Sequence, residues 1–514
     1  MLKHFLSVSG LTLLSRVTGL ARDLMTAAIL GAGLLADAFF VALRLPNHFR
    51  AIFGEGAFSA AFVPIFTRLH ESEGVAAARR FADNVWTGML LVQTVVFVLA
   101  FTFMEQVVAL LAPGFAADPE KFALAVNLTR ITFPYLFFIT LVTLVSGMLQ
   151  SIERFVAAAF TQVLLNVSMI VALALAWLFP SAAYAAAWGV AVAGALELAL
   201  VYADAARAGI APRLARPRLD PGMRTFLKTL GPAIIGSAGV QIALFADTII
   251  ASMLPTGAVS SIYYADRLYQ LPIGVIAIAA GTVLVPLMSR LVAAGDEAAA
   301  HAAQNRALAL TLALAIPCMV AFLLVPEPIV SALFGRGAFT QEDAQAAGAV
   351  LAAYALGLPA IVAIPAVVAS FRARLDTTTP AIVALIGIGI NVALKIALVS
   401  NILDVQLGAP GLALATAAGA WVNFGLLFIL ARRRRWNAPD STLLRTLAAI
   451  SAASLLLAAV TAGVDAVLSP WSDTLPHARA IIHIAIVALA GAVAYGVTLI
   501  ATLRLAGVPL PKLR

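Results

Sequence analysis

The sequence predicts an all-α polytopic membrane protein. It is read as 14 transmembrane helices: two pseudo-symmetric six-helix bundles and a C-terminal helix pair. Three observations predict this. The 514 residues are 62% hydrophobic and only 11% charged, with a mean hydropathy of +1.00, whereas a soluble domain carries about 25% charged residues. Apolar runs long enough to cross a bilayer, about 20 residues each, recur along the whole chain. Basic residues gather in alternate connections, the pattern that orients membrane helices.

The candidate segments lie at 5–31, 34–67, 81–112, 122–150, 155–179, 182–206, 223–253, 258–291, 303–325, 343–371, 379–402, 408–431, 442–468 and 478–504, bounded by Gly, Pro and charge. The first resembles a secretory signal, but Arg16 and Arg22 interrupt its apolar region and no small-x-small cleavage site follows, so it reads as a retained helix. With the N-terminus inside, the inner loops hold Arg68, Arg79, Arg80 and Arg154, then Arg207, Arg213, Arg216, Arg218 and Arg224. Further along they hold Arg290, Arg306, Arg372, Arg374 and the run Arg432 to Arg435. The outer loops hold little beyond Lys121, Arg336 and Arg479. The bias recurs at every inner loop and places both termini in the cytoplasm.

An internal repeat divides the chain. ARDLMTAAIL (21–30) resembles FADTIIASML (245–254), aligning Asp23 with Asp247. FVPIFTRL (62–69) resembles LVPLMSRL (284–291), Pro134 aligns with Pro359, Asn166 with Asn391, and WGVAVA (188–193) with PGLALA (410–415). The offsets all fall at about 222–226 residues. The expected organisation is an N-terminal bundle at 1–210, a C-terminal bundle at 223–433 and an added pair at 441–506. Two homologous bundles suggest a binding site at their interface, with rocking between them as the transport step.

The charges inside the apolar segments are the strongest functional signal. Arg16, Arg22, Arg44, Arg50 and Arg267 all lie in long apolar stretches. Each costs roughly 2.5–3.5 kcal/mol at a helix centre if it faces lipid. They must therefore face water or an anionic partner, and arginine forks suit phosphate and carboxylate oxygens. From the helical rise, Arg22, Arg44 and Arg267 lie about 14–15 Å below the outer surface, and Arg16 and Arg50 at about 22–24 Å. Arg16, Gly19 and Asp23 share one stripe of the first segment, and Asp37, Val41 and Arg44 one stripe of the second. Pro46 removes a backbone hydrogen bond and predicts a kink; Asn47 follows it, free to satisfy the backbone or a ligand. Glu55 lies between Gly54 and Gly56, which permit close approach of a helix or substrate. The purely structural alternative pairs Arg16 with Asp23, Arg44 with Asp37, Arg50 with Glu55 and Arg267 with Asp266.

Asp247, Asn391 and Lys395 form a second polar group, with Asn391 and Lys395 four residues apart on one helix face. They read as a structural ion pair or an ion-coupling site. Cys318, the one cysteine, sits in an apolar run and reads as a small buried hydrophobe. The six histidines form no H-E-x-x-H zinc pattern, GIGIN (387–391) lacks the strand a nucleotide fingerprint needs, and no G-x-S-x-G elbow occurs. No metal, cofactor, nucleic-acid partner or catalytic activity is expected.

SRVTGLARDLMTAAILGAGLLADAFFVALRLPNHFRAIFGEGAFSAAFVPIF (15–66) and YYADRLYQLPIGVIAIAAGTVLVPLMS (263–289) resemble the MurJ/MviN family, most specifically in ADAFF, RLPN and EGAFS. The resemblance spans the chain, the last two segments included. It implies the multidrug/oligosaccharidyl-lipid/polysaccharide exporter superfamily and a flippase for lipid II, the undecaprenyl-pyrophosphate-linked peptidoglycan precursor of the bacterial inner membrane. It implies that Arg16, Arg22, Arg50 and Arg267 bind substrate, that Asp37, Asn47 and Glu55 line the cavity, and that the last two helices hold the polyprenyl tail. It also implies a monomer working beside the cell-wall synthesis machinery. Some members carry a carboxylate of a sodium site near the position of Lys395, and a lysine there departs from that pattern. The alternatives are a flippase for another polyprenyl-pyrophosphate-linked oligosaccharide, or a drug or cation antiporter of the same superfamily. The latter favours acidic rather than basic cavity residues.

Overall fold

The computed structural model describes residues 2–54, 57–399, 407–472 and 478–508. The described residues form helices joined by turns and one extended linker, with no strand among them. The chain divides into two compact units, Met1–Val259 and Ser260–Arg514.

The first unit holds α1 (Leu2–Leu30), α2 (Leu34–Gly54), α3 (Ala57–Glu73), α4 (Val75–Thr102), α5 (Met104–Leu111), α6 (Pro119–Thr132), α7 (Pro134–Ser151), α8 (Val156–Ala174), α9 (Ala182–Arg207) and α10 (Pro221–Ser252). Its centre is α9, which packs on α8 and α7, while α1 docks on α8. Small residues set these distances, as expected where lipid removes the hydrophobic drive between helices. A Cβ on Gly189 of α9 would lie 2.9 Å from the Cβ of Ala172 on α8. Phe58, Phe62, Phe81 and Phe226 stack at 5.4–6.3 Å and join α3, α4 and α10. The sequence reading assigns the α10 segment to the second bundle; its packing in the structure is against α2, α3, α4 and α5 of the first unit.

The linker after α9 leaves the helix at Gly209, whose φ of 73° is costly for other residues. It then runs extended along α4. Asp83 accepts from the backbone N–H of Arg213 at 2.6 Å, Thr87 from that of Ala215 at 3.0 Å, and Asn84 from that of Arg218 at 2.8 Å. Three side chains one turn of helix α4 apart or less thus replace the ladder an extended segment otherwise lacks.

The second unit holds α11 (Ala258–Ala293), which starts at the boundary, then α12 (Glu297–Leu324), α13 (Pro326–Phe334), α14 (Gln341–Ala355), α15 (Leu358–Arg372), α16 (Thr378–Val399), α17 (Gly408–Arg433), α18 (Ser441–Ser472) and α19 (Ala478–Leu505). Here α17 is central, packed on α14, α15 and α16, as α9 packs on α6, α7 and α8. α18 and α19 form a hairpin that leans on α12, where the Tyr495 hydroxyl donates to the Ala313 carbonyl at 2.7 Å. Loop arginines fasten the turns: Arg434 pairs with Asp376 at 2.5 Å, and Arg374 and Arg434 flank the ring of Trp436.

Two runs read as single spans are interrupted at the prolines that the repeat aligns. Phe133 separates α6 from α7 although its own backbone is helical (φ −59°, ψ −36°). The break comes from Pro134, which has no N–H for the preceding turn. Pro359, at the start of α15, does the same after Gly357. The 81–112 run is likewise divided at Phe103 into α4 and α5. Pro46, in contrast, is carried inside α2.

Among the described residues, 11 helical stretches are long and apolar enough to cross a membrane. Of the remaining long helices, α1 and α2 carry intramembrane charge that lowers their hydropathy, Arg16, Arg22 and Asp23 in the first and Asp37, Arg44 and Arg50 in the second, and α10 carries Asp247. The reading of 14 spans counts all three.

Glycine at 357 is required by space. A Cβ there would lie 2.7 Å from the Ala417 Cα, whereas one on Gly389 meets nothing within 4 Å. Gly357→Ala is expected to destabilise the protein by about 1–3 kcal/mol through overpacking. Gly389→Ala is expected to be neutral or stabilising by up to about 1 kcal/mol. Thermal unfolding of the two purified variants beside the parent checks the contrast; equal midpoints would show that α15 and α17 are not packed this closely.

Candidate functional site

The intramembrane charges of the first unit fall into three groups. The first ties α1 to α8. Arg22 donates through Nη2 and Nε to Asp23 Oδ1 at 2.7 and 3.1 Å, and through Nη1 to Asn166 Oδ1 at 3.0 Å. The Asn166 amide donates back to the Ser15 carbonyl at 3.0 Å and to the Thr18 hydroxyl at 3.2 Å. Ser15, Thr18, Gly19 and Arg22 follow helical spacing, so they form the stripe of α1 that meets α8. Asp23 is therefore the partner of Arg22, not of Arg16. The stripe Arg16–Gly19–Asp23 is divided: Gly19 lies against Asn166, Asp23 is buried, and Arg16 is exposed on the face that carries Leu13, Val17 and Leu20.

The second group closes one end of the unit. Asp37 at the start of α2 is 0% exposed and accepts from Lys121 Nζ at 2.8 Å and from the Gly257 backbone N–H at 2.8 Å. Lys121, read from sequence as an outer-loop cation, is only 3% exposed, and its ammonium also lies 4.2 Å from the Phe115 ring centroid and 3.3 Å from the Thr256 hydroxyl. The pair joins α2, α6 and the turn before α11. The structure thus places Asp37 in a buried ion pair and not in partnership with Arg44.

The third group lies further along α2. Arg44 and Asn47 are half-buried. The Arg44 Nε is buried and, among the described residues, has no hydrogen-bond partner. His48 packs on Phe245 of α10, with ring centroids 4.6 Å apart. Arg50, two residues on, is half-buried; the sequence reading passed over Glu197 of α9 and Tyr135 of α7, which meet inside the unit. Glu197 is 0% exposed; its Oε2 lies 3.5 Å from the Tyr135 hydroxyl and its Oε1 has no partner among the described residues. Gly194, one turn earlier, leaves room for the Tyr135 ring, since a Cβ there would lie 2.9 Å from that ring's Cδ2. Glu55 lies outside the described residues.

In the second unit, Arg267 of α11 stacks on Tyr263 one turn earlier, 4.6 Å from the ring centroid, and donates to its hydroxyl at 3.1 Å. Lys395 of α16 is 1% exposed. Asn391, one turn before it, lies at a tight crossing with α17, where a Cβ on Gly419 would come within 2.8 Å of the Asn391 Cβ. The Oδ1 atoms of Asn391 and of Asn423 on α17 are buried without partners among the described residues. Asp247 is half-buried on α10 in the first unit.

Sequence reasoning missed Lys121, Glu197 and Tyr135. A signal was present for Glu197: it is the single acid in the apolar stretch 182–203, and an ionisable residue inside a membrane helix marks function by default. Lys121 gave none, because its burial arises from elements that meet only in three dimensions.

The Asp37–Lys121 pair yields a sharp test. Lys121→Met is expected to destabilise the protein by about 3–5 kcal/mol, because it leaves a buried carboxylate uncompensated. The double change Asp37→Leu with Lys121→Met is expected to recover most of that loss. Monodispersity and thermal unfolding of purified variants measure both, and a single variant as stable as the parent would show that the pair is not closed in the membrane.

The family model described as Lipid II flippase MurJ matches residues 26–476. A probable lipid II flippase MurJ of Rhizobium meliloti (strain 1021) is 42% identical over 506 residues, covering 97% of this chain and 93% of its own. The solved structure of a lipid II flippase MurJ in an inward closed conformation aligns with a TM-score of 0.76 at 26% identity, over 97% of this chain and 98% of that one. An inward-facing MATE-family multidrug-resistance transporter of the MOP superfamily shares the fold, with a TM-score of 0.66 at 17% identity over 84% of this chain and 97% of its own. With its apolar helices, the match makes the chain a multi-pass transporter of the bacterial inner membrane, and it belongs to the MurJ lipid II flippase family.

Proposed function

We propose that this protein moves lipid II, an undecaprenyl-pyrophosphate-linked disaccharide pentapeptide, from the cytoplasmic to the periplasmic leaflet by alternating access. The observation that carries the reading is the match to lipid II flippases over nearly the whole chain. The chemistry agrees with it. A pyrophosphate drawn into the bilayer must exchange its hydration for fixed cations, and arginine offers paired donors that match its oxygens. The first unit contributes Arg16, Arg22 and Arg50, and the second contributes Arg267. Asn47 and Glu55 belong to the same polar lining.

The roles differ within this set. Arg16 is exposed, which leaves its guanidinium open to a ligand. Arg22 is held by Asp23 and Asn166, so its first task is to fasten α1 to α8, and a phosphate reaches it by sharing or displacing those partners. Asp37, closed on Lys121, supports the shape of the unit and does not touch substrate. Lys395 places a fixed positive charge beside Asn391, which favours a structural role for Asp247, Asn391 and Lys395 over sodium coupling. The gathering of basic residues in alternate loops supports a cytoplasmic position for both termini. The α18–α19 hairpin offers a surface for the polyprenyl tail. The protein acts as a monomer beside the peptidoglycan synthesis machinery.

Charge-conserving substitution tests the gripping role. In cells depleted of the native protein, Arg16→Lys and Arg50→Lys are each expected to lower the flipping rate about 10- to 100-fold, equivalent to losing a charged hydrogen bond worth roughly 1.5–3 kcal/mol. Complementation at matched expression reads this out. Full rescue by both lysine variants would show that a point charge suffices and would end the bidentate reading.

A further inference from the structure

Gln93 lies in α4 between Val92 and Thr94, the one amide in the apolar run from Val85 to Thr102. It is 7% exposed, yet its side-chain amide makes no hydrogen bond among the described residues. Its neighbours show the ordinary solution: the hydroxyls of Thr87 and Thr94 donate to carbonyls one turn back, at 2.9 and 2.7 Å. A polar group inside a bilayer is costly unless it finds such a partner.

The Gln93 side chain lines a groove of about 340 Å³ between α4 and α10. Phe58, Val85, Met223 and Phe226 are buried and form the floor. Val92 and Leu227, 61% and 49% exposed, form the rims, so the groove opens away from the interior of the unit. Gly88 keeps it clear, since a Cβ there would reach Met223 Cε at 3.7 Å. From Asn84 to Gln93 the groove runs about 13 Å along α4. The linker closes one end, where Arg218 lines it and the Asn84 amide donates to Asp220 at 3.3 Å. At that end Arg216, Arg218, Arg224 and Lys228 are exposed. The acids nearby are engaged: Asp83 accepts from the Arg213 backbone N–H and Asp220 from that of Met223.

We propose that this groove docks a single transmembrane helix of a partner protein. The helix carries a hydrogen-bonding side chain at mid-span and carboxylates at the end beside the linker. A hydrocarbon chain would fill the apolar floor but leave the Gln93 amide unpaired. A second copy docking through the same face would bring a Gln93 recessed to the same depth, and the two amides would not meet. A partner side chain such as Asn, Gln, Ser or Thr reaching into the groove supplies both donor and acceptor, and Gly88 admits its approach. Charge specifies the flank. Most membrane helices carry Lys and Arg on their cytoplasmic side, which the linker arginines repel. The groove therefore selects the less common helix with carboxylates there. The charge argument rests on the cytoplasmic reading of the linker; the hydrogen-bond argument is independent of it and of the substrate.

The probe is a synthetic leucine-rich helix of about 20 residues, with one central Gln, glutamates at one end and a photoreactive leucine beside the Gln. Cross-linking to the full-length protein in nanodiscs, followed as peptide is added, measures its affinity. The expected result is saturable cross-linking to α4 and α10 around the groove. An all-leucine probe is expected to bind about 5- to 30-fold more weakly, the range for one hydrogen bond between membrane helices. Gln93→Leu is expected to bring the Gln probe down to that level, and a lysine-flanked probe is expected to bind more weakly than the glutamate-flanked one. Equal binding of the Gln and all-leucine probes to the parent overturns the proposal, and this comparison needs no variant to fold. Undiminished binding to Gln93→Leu, or cross-links confined to other helices, overturns it as well. Displacement of the probe by phosphatidylglycerol in the nanodisc would assign the groove to a lipid, and self-association of the parent that Gln93→Leu abolishes would assign it to a second copy; either result contradicts the proposal. Equal binding of the two flanked probes would overturn the acidic-flank specification alone.

Discussion

A charge inside a bilayer must be paired, hydrated or neutralised, and the rest of this structure depends on how that constraint is met. The first unit meets it in three ways. Asp37 and Lys121 are sealed against each other with a backbone N–H as the additional donor. Arg22 is shared between its neighbour Asp23 and an amide on another helix. Arg16 is exposed, and Arg50 is only half-buried. The first two groups join helices.

The helices are arranged so that these charges keep their places. α1 has one main support, α8, and the Arg22–Asn166 contact lies in that interface, with Gly19 permitting the approach. α9 is packed on α7 and α8 through Gly194 and Gly189, which fixes Glu197 beside Tyr135. The corresponding helices of the second unit, α14 to α17, repeat the packing scheme and the proline break, but with Asn391 and Lys395 where the first unit has Asn166 and no cation. Two copies of one architecture have thus been given different polar contents. This is the arrangement expected if one unit carries most of the ligand chemistry and the other stays closer to a structural frame.

Much of this was legible in the sequence. Composition and the recurrence of long apolar runs yield the class, because both follow from the energetics of lipid contact. The repeat locates Pro134 and Pro359 as equivalent positions, and both turn out to mark helix breaks, because a missing N–H acts locally wherever the chain runs. The arginines announce themselves because each is costly where it stands. Their partners were not legible. Helical phase suggests Asp23 for Arg16, but the long side chain of Arg22 folds back onto its immediate neighbour while reaching Asn166 at a separation of 144 residues. Lys121 reads as a loop cation because its burial depends on Phe115, Asp37 and Thr256 arriving from three different segments. Spacing specifies which face a residue occupies, whereas pairing depends on which face of which other helix is brought to it.

The central claim is that this chain carries lipid II across the membrane through its intramembrane cations. Leaflet-resolved lipid II in cells depleted of the protein tests it most directly, with an externally added lipid II-cleaving enzyme that cannot cross the membrane reporting the outer pool. The account predicts that depletion protects lipid II from cleavage, and that the parent protein restores cleavage while Arg50→Ala, expressed to the same level, does not. Unchanged cleavage on depletion, or full restoration by Arg50→Ala, would contradict it.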